Sequence, residues 1–250
     1  MNVKKISEEE NNVVLLATGT HPEFINGLRR VIMNAVPTVA IEDVHFYNNN
    51  SIFFDEYISA RLGSIALKLK KSLKKGEIVK LTLHVKGPKT VTGADIDAKH
   101  PDIEVVNKNV PIVKLKENQE LKLEMEAVMN SGNIHAKWQP AIMGYNEVPE
   151  MKNHSEKIKN AQKLVDNCPT KALEVKAGKV ILKDPYNCTL CGYCEDKSND
   201  QLELITNNSS FVLRVESNGQ KKPKEVLIEA ADILKEKASE FQSALSSIKK

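Results

Sequence analysis

Residues 223–248 read PKEVLIEAADILKEKASEFQSALSSI. Within them Leu227, Ala231, Leu234, Ala238, Phe241, Leu245 and Ile248 recur at steps of four and three without a break. That is the a/d seam of a helix running over about three heptads. Pro223 suits the first turn of such a helix, where its missing N–H leaves no bond unmade. At roughly 1.5 Å per residue the rod is about 39 Å long. A helix of that length with a narrow apolar stripe has to cover the stripe, either against its own domain or against a second polypeptide. Spacing alone leaves both open, because coiled-coil seams and long bundle helices share this pattern.

Outward from this helix, the pattern alternates between helical and extended texture. Phe211, Leu213 and Val215 alternate as a strand that Asn218-Gly219 ends. Near the start, Val13 to Ala17 is a strand-like apolar run. Phe24, Ile25, Leu28, Val31, Ile32 and Ala35 then trace one face of an amphipathic helix, closed by Pro37. Val39, Ile41, Val44 and Phe46 suggest a second strand with an irregularity at Glu42-Asp43, and Asn48 to Ser51 is a turn cluster. Asp55 is placed to cap a short helix through Leu62. From Glu77 to about Tyr145 apolar residues are spaced by two, as in Val79, Leu81, Leu83, Val85 and again in Leu121, Leu123, Met125, Ala127. That is the signature of half-buried strands. Ser155 to Val165 returns to helical spacing. The expected class is α+β with a mainly-β middle.

Of 250 residues, 41% are hydrophobic and 28% charged, which supports packed cores and excludes wholesale disorder. The length suits two domains better than one. Aromatic residues make up only 5%, so the cores must rest on aliphatic side chains. No apolar run approaches the ~18 residues of a membrane span, and MNVKKISEEE lacks the apolar stretch of a signal peptide. The expectation is a soluble, cytoplasmic chain without a membrane partner. Thirty-six basic residues against thirty-three acidic give a net charge of +3, too balanced to argue for nucleic-acid binding. Lys68, Lys70, Lys71, Lys74 and Lys75 cluster as a solvated connection, with a phosphate contact in a larger assembly as the alternative.

All four cysteines, Cys168, Cys188, Cys191 and Cys194, fall within 27 positions. Clustered cysteines in an intracellular chain point to metal rather than to structural disulfides. Cys188, Cys191 and Cys194 stand at C-x2-C-x2-C spacing, and Cys168 is followed by Pro169, as in one half of a bacterial ferredoxin. Four thiolates suffice for one [4Fe–4S] cluster. The next local position is Ser198, so a second cluster lacks a ligand. Zinc, which favours two separated C-x2-C pairs, and free thiols stay open as alternatives. No GxGxxG, GxxxxGK[ST] or GxSxG sequence occurs, and Asp95 and Asp97 form a lone DxD that reads as a loop. A redox-capable cluster with no evident nicotinamide or flavin site points to a cluster that holds structure. A ferredoxin-like electron-transfer module is the rival.

The stretch NGLRRVIMNAVPTVAIEDV from Asn26 to Val44 resembles the signature of RNA polymerase α-type subunits. These comprise the archaeal D-type chain, the bacterial α N-terminal region and the third-largest subunit of eukaryotic polymerase II. DEYISARLG from Asp55 to Gly63 and HAKWQP from His135 to Pro140 resemble two further blocks of that family, in the family's order. The cysteine insert is similar to one in many of the archaeal members. The resemblance implies a discontinuous dimerisation domain (1–47 and 207–250), an inserted mainly-β domain (48–150) and a small ferredoxin-like domain (151–206). It implies a non-catalytic scaffold of DNA-directed RNA polymerase that heterodimerises with the small subunit L through the two helical segments. It also implies contacts with the large catalytic subunits, met by Arg30 with Arg29, and with other small polymerase subunits, without sequence-specific DNA binding. Cys168, Cys188, Cys191 and Cys194 would hold one [4Fe–4S] cluster, with [3Fe–4S] or zinc as alternatives. Some relatives carry an extra cysteine loop after the R-L-G block. Ala66 to Lys75 has no cysteine, so no zinc is expected there.

Overall fold

The computed structural model describes residues 1–70 and 76–248. The reading of Lys71, Lys74 and Lys75 therefore lies outside the described residues. In chain order the elements are β1 (Asn2–Glu8), β2 (Asn12–Thr18), α1 (Pro22–Asn34), β3 (Pro37–Asn49), α2 (Asp55–Gly63), β4 (Leu67–Leu69), β5 (Ile78–Lys86), β6 (Lys89–Thr92), β7 (Asp97–Ala98), β8 (Ile103–Val105), β9 (Pro111–Leu115), β10 (Glu120–Ser131), β11 (Ala141–Asn153), α3 (Ala161–Asp166), β12 (Leu173–Lys176), β13 (Lys179–Leu182), α4 (Tyr193–Asp196), β14 (Leu202–Ser217) and α5 (Pro223–Ser247). The class is α+β with strands predominating. The chain divides into two compact units. One takes Met1–Glu9, Val13–Gly27 and Met143–Val215; the other takes Glu10–Asn12, Leu28–Ile142 and the chain from Glu216 on.

The second unit is organised by a sheet in the order β3-β10-β5-β7. Its register follows from the alternation in the sequence. Leu121, Leu123, Met125 and Ala127 of β10 stand opposite Val85, Leu83, Leu81 and Val79 of β5. All eight are buried, so a slip of one residue would turn the apolar row of the slipped strand to solvent. Ile58 and Leu62 of α2 join the same core. Fully burying each such side chain contributes about 1.5–3 kcal/mol. Between β3 and β10 the pairing shifts twice, skipping Glu42 and Tyr47. The first shift is the irregularity expected at Glu42-Asp43, a β-bulge.

The HAKWQP block locks this bulge. Lys137 and Trp138 lie in a short 3₁₀ turn, Ala136–Trp138. Trp138 is buried, and its indole N–H donates to the Val128 carbonyl at 3.1 Å. The Thr38 hydroxyl donates to the Trp138 carbonyl at 2.8 Å. The Lys137 ammonium reaches the Ile41 carbonyl at 3.0 Å, pairs with the bulged Glu42, and lies 4.5 Å from the centre of the Trp138 ring. In α2, Asp55 is the first helical residue and makes no capping bond, contrary to expectation; Phe54 holds the N-cap position. The Asp55 carboxylate instead accepts the Asn49 side-chain amide at 2.6 Å.

The first unit contains a sheet in the order β1-β2-β14-β11 and the hairpin β12-β13. One small buried cluster in it joins Ile158, Leu164, Ala172, Leu173, Val180 and Leu202 with three of the cysteines. The helix expected over Ser155 to Val165 shrinks to α3. The Ile158 amide donates across to the Gly178 carbonyl at 3.0 Å, tying that segment to the β12-β13 hairpin, and Asn160 is left-handed at φ 60°. No helix among the described residues is long and apolar enough to cross a membrane.

Candidate functional site

Helix α5 is anchored at one end. Pro223, Val226 and Ala230 are its buried residues. The Glu225 carboxylate accepts the Lys222 amide at 2.9 Å, which satisfies a donor of the first turn. Ahead of it, the buried Gln220 side chain donates to the carbonyls of Val39 at 2.7 Å and Leu67 at 3.0 Å. Val226 and Ala230 form a stripe one position off the heptad seam. Sequence reading missed this stripe, although its step of four was there to be found.

The seam itself is largely bare. Leu227 and Leu234 are half-buried, while Ala231 and Ala238 are exposed. Phe241, Leu245 and Ile248 are 67%, 51% and 69% exposed. Every residue from Lys235 to Ile248 is exposed. A row of large apolar side chains in water is unfavourable at about 25 cal/mol per Å². Contiguous patches of this kind mark interaction surfaces.

On α1, Ile25, Leu28, Val31 and Ile32 are buried. Arg30 is exposed. Arg29 is half-buried, with its guanidinium 3.7 Å from the Met33 sulfur.

The four cysteines, from two separate sequence blocks, line one cavity with Pro169, Thr170, Leu173, Tyr193 and Leu204. All four are free thiols; Cys168, Cys188 and Cys194 are buried and Cys191 is exposed. The loop between them turns through two left-handed residues, Leu190 at φ 55° and Gly192 at φ 76°. Gly192 accepts that conformation without strain, and it leads into α4, which carries Cys194. Ser198, where a further cysteine is absent, is buried: its hydroxyl donates to the Glu195 carbonyl at 2.8 Å and accepts the Leu202 amide at 3.0 Å.

The thiols differ in their surroundings. Burial works to raise the Cys168 pKa. Hydrogen bonds from the Ala172 amide, the Thr170 hydroxyl and the Thr170 and Leu173 amides outweigh it and hold that thiol below its ordinary value. Burial raises Cys188 against the Leu190 amide, and pushes Cys194 up to about 11. Bare thiolates at Cys188 and Cys194 are therefore costly, and a bound cation offsets such a cost. Four sulfur donors around one cavity fit a soft metal or an iron–sulfur group. Among the described residues, no three His, Cys, Asp or Glu side chains converge tightly enough to hold a single ion.

An uncovered helical ridge thus lies in one unit and a thiol-lined pocket in the other. The chain belongs to the RNA polymerase Rpb3/Rpb11 dimerisation domain family, whose model matches residues 14–238. It is similar along nearly its whole length to proteins named DNA-directed RNA polymerase subunit Rpo3. That of Methanosphaera stadtmanae is 30% identical, over 95% of this chain and 96% of the relative. That of Pyrococcus furiosus is 31% identical, over 99% and 98%. That of Methanosarcina mazei is 33% identical, over 90% and 91%.

Proposed function

We propose that this chain is an assembly subunit of an archaeal, cytoplasmic DNA-directed RNA polymerase, and that it performs no chemistry itself. Its α1 and α5 helices pair with those of the small subunit L. Arg30, with Arg29, then meets the large catalytic subunits, and other small polymerase subunits join the same assembly. The observation that carries this reading is the bare seam of α5, above all Phe241, Leu245 and Ile248. Family membership and the names of the relatives support it. Cys168, Cys188, Cys191 and Cys194 hold one [4Fe–4S] cluster in this reading, and the amide-rich surroundings of Cys168 suit a thiolate ligand. Such a cluster supplies folding free energy when bound, because the unfolded chain has no preformed site.

Co-expression with a small L-type subunit tests the reading. The two chains are expected to purify as a stable 1:1 complex, and Phe241→Glu with Leu245→Glu is expected to abolish it. A chain that stays a well-behaved monomer beside that partner would overturn the proposal. Iron and sulfide analysis after anaerobic purification decides the cluster: about four irons per chain support it, and stoichiometric zinc refutes it.

A further inference from the structure

We propose that Arg214 and Asn146 form a clamp that positions the cysteine loop, an inference that rests on reading the thiol pocket as a metal or cluster site. Arg214 lies on β14 between the buried Leu213 and Val215, and Asn146 lies on β11. The Arg214 guanidinium donates to the Asn146 side-chain oxygen at 2.5 Å and to the Tyr186 carbonyl at 2.5 Å. The Asn146 amide in turn donates to the Cys188 carbonyl at 3.3 Å. One guanidinium thus fixes, directly and through Asn146, the two carbonyls that flank Asn187. This is the backbone leading into the C-x2-C-x2-C segment.

The segment needs such ties. It has no regular secondary structure between the 3₁₀ turn ending at Asn187 and α4, and it passes through left-handed Leu190 and Gly192. Without outside hydrogen bonds its backbone would sample many conformers, and ordering it would cost about 1–2 kcal/mol per residue when a ligand bound. Side-chain bonds from two sheet strands set that order in advance.

Charge makes the same point. A guanidinium is always protonated. Arg214 is half-buried, and among the described residues its partners are neutral oxygens, with no carboxylate in ion-pair reach. A partly desolvated cation so placed favours net negative charge nearby, which an assembled site of four thiolates around a divalent metal or cluster core carries. Arg214 and Asn146 are positioning residues in this scheme; neither touches the metal.

The test uses the full-length chain, purified metal-free under anaerobic conditions. Alkylation of each cysteine by iodoacetamide is timed by mass spectrometry. Cobalt(II) is then added as a probe, and its thiolate charge-transfer absorption is recorded. Arg214→Met and Asn146→Ala are expected to speed Cys188 alkylation about tenfold, the factor that loss of a hydrogen bond to a charged group corresponds to. They are also expected to weaken and broaden the cobalt band. Arg214→Lys is expected to restore both in part, and amide exchange in β2, in the same unit, to stay unchanged.

Unchanged Cys188 alkylation in Arg214→Met overturns the clamp. So does acceleration at all four cysteines together with loss of protection in β2, a strand of the same unit, which reports unfolding of that unit as a whole. If the unmutated chain takes up neither cobalt nor iron, the metal-site reading falls. The alkylation comparison, made on the metal-free chain, still decides the clamp by itself.

Discussion

A side chain at Gly132 would be driven into the Met33 carbonyl oxygen and would crowd the Gln139 stem. Beside it, the Asn133 amide donates to the Asn34 carbonyl at 2.9 Å, so the end of α1 and the turn after β10 meet backbone to backbone. Gly132→Ala is expected to lower the unfolding free energy by about 1–3 kcal/mol, the range for forcing extra volume into a packed site. Urea denaturation followed by Trp138 fluorescence checks it; an unchanged midpoint would show that the two segments part freely. Asp95 reads as a loop residue in the lone DxD, and it has structural work there. Its carboxylate accepts the Thr92 amide at 2.9 Å and pairs with Lys89. Burial acts to raise its pKa, but Lys89 and the Thr92 amide outweigh burial and hold it below the usual carboxylate value. A depressed folded-state pKa means stability that is present above the unfolded value, about 3.9, and is lost as pH falls through the lower folded value. Asp95→Asn keeps an oxygen for the Thr92 amide but loses the charge that pairs with Lys89, and should therefore cost about 0.2–1 kcal/mol at neutral pH, the range for an exposed ion pair. The gap to the unmutated chain should close below pH 4 in thermal melts; a gap that persists there would mean that the charge is irrelevant.

At the scale of elements, α5 divides into an anchored part and a bare part, and substitutions should sort accordingly. Val226→Ala removes two buried methyl groups and is expected to cost about 2 kcal/mol in the isolated chain. Phe241→Glu, on the exposed stretch, is expected to stay within about 0.5 kcal/mol of the unmutated chain. Calorimetry on the chain alone separates them, and a large loss from Phe241→Glu would mean that the ridge is covered by the chain's own residues in solution. The seam was legible because heptad spacing is a local pattern, and so was the register of β10 with β5, where one alternating row meets another. The bulge at Glu42 was legible for the same reason, as a break in alternation. Strand β1 was not legible: Asn2–Glu8 is charged and mostly exposed, and pairing with β2 holds it in the sheet rather than any buried row of its own. The length of β14 was hidden because Asn207-Asn208-Ser209-Ser210 carries no alternating apolar row, yet continues the strand. The meeting of Cys168 with the cysteine triple followed from ligand arithmetic. The hydrogen bonds that link Arg214 and Asn146 to the loop could not, because a side-chain tie between distant residues leaves no period in the sequence.

At the scale of the whole molecule, two kinds of chemistry fall in two separately packed units. The cysteines, their hairpin and the sheet β1-β2-β14-β11 lie in one, while the core of β3, β10 and β5 lies with α5 in the other. The buried cluster that contains three of the cysteines is much smaller than the one around β5 and β10. A small apolar cluster supplies little stability by itself, so a metal or iron–sulfur cluster held by these cysteines, as proposed above, would contribute much of it. Its loss should then be felt locally. Cys191→Ser, or removal of metal by a chelator, is expected to raise amide exchange from about Lys152 to Thr206 and to leave the protection of β5 and β10 intact. Association through α5 should survive, because Phe241, Leu245 and Ile248 belong to the other unit. Hydrogen exchange with mass spectrometry reads both halves in one experiment. Equal loss of protection in β10 and in α5 would show that the two units unfold as one, and the cysteines would then be a condition for assembly rather than a local support.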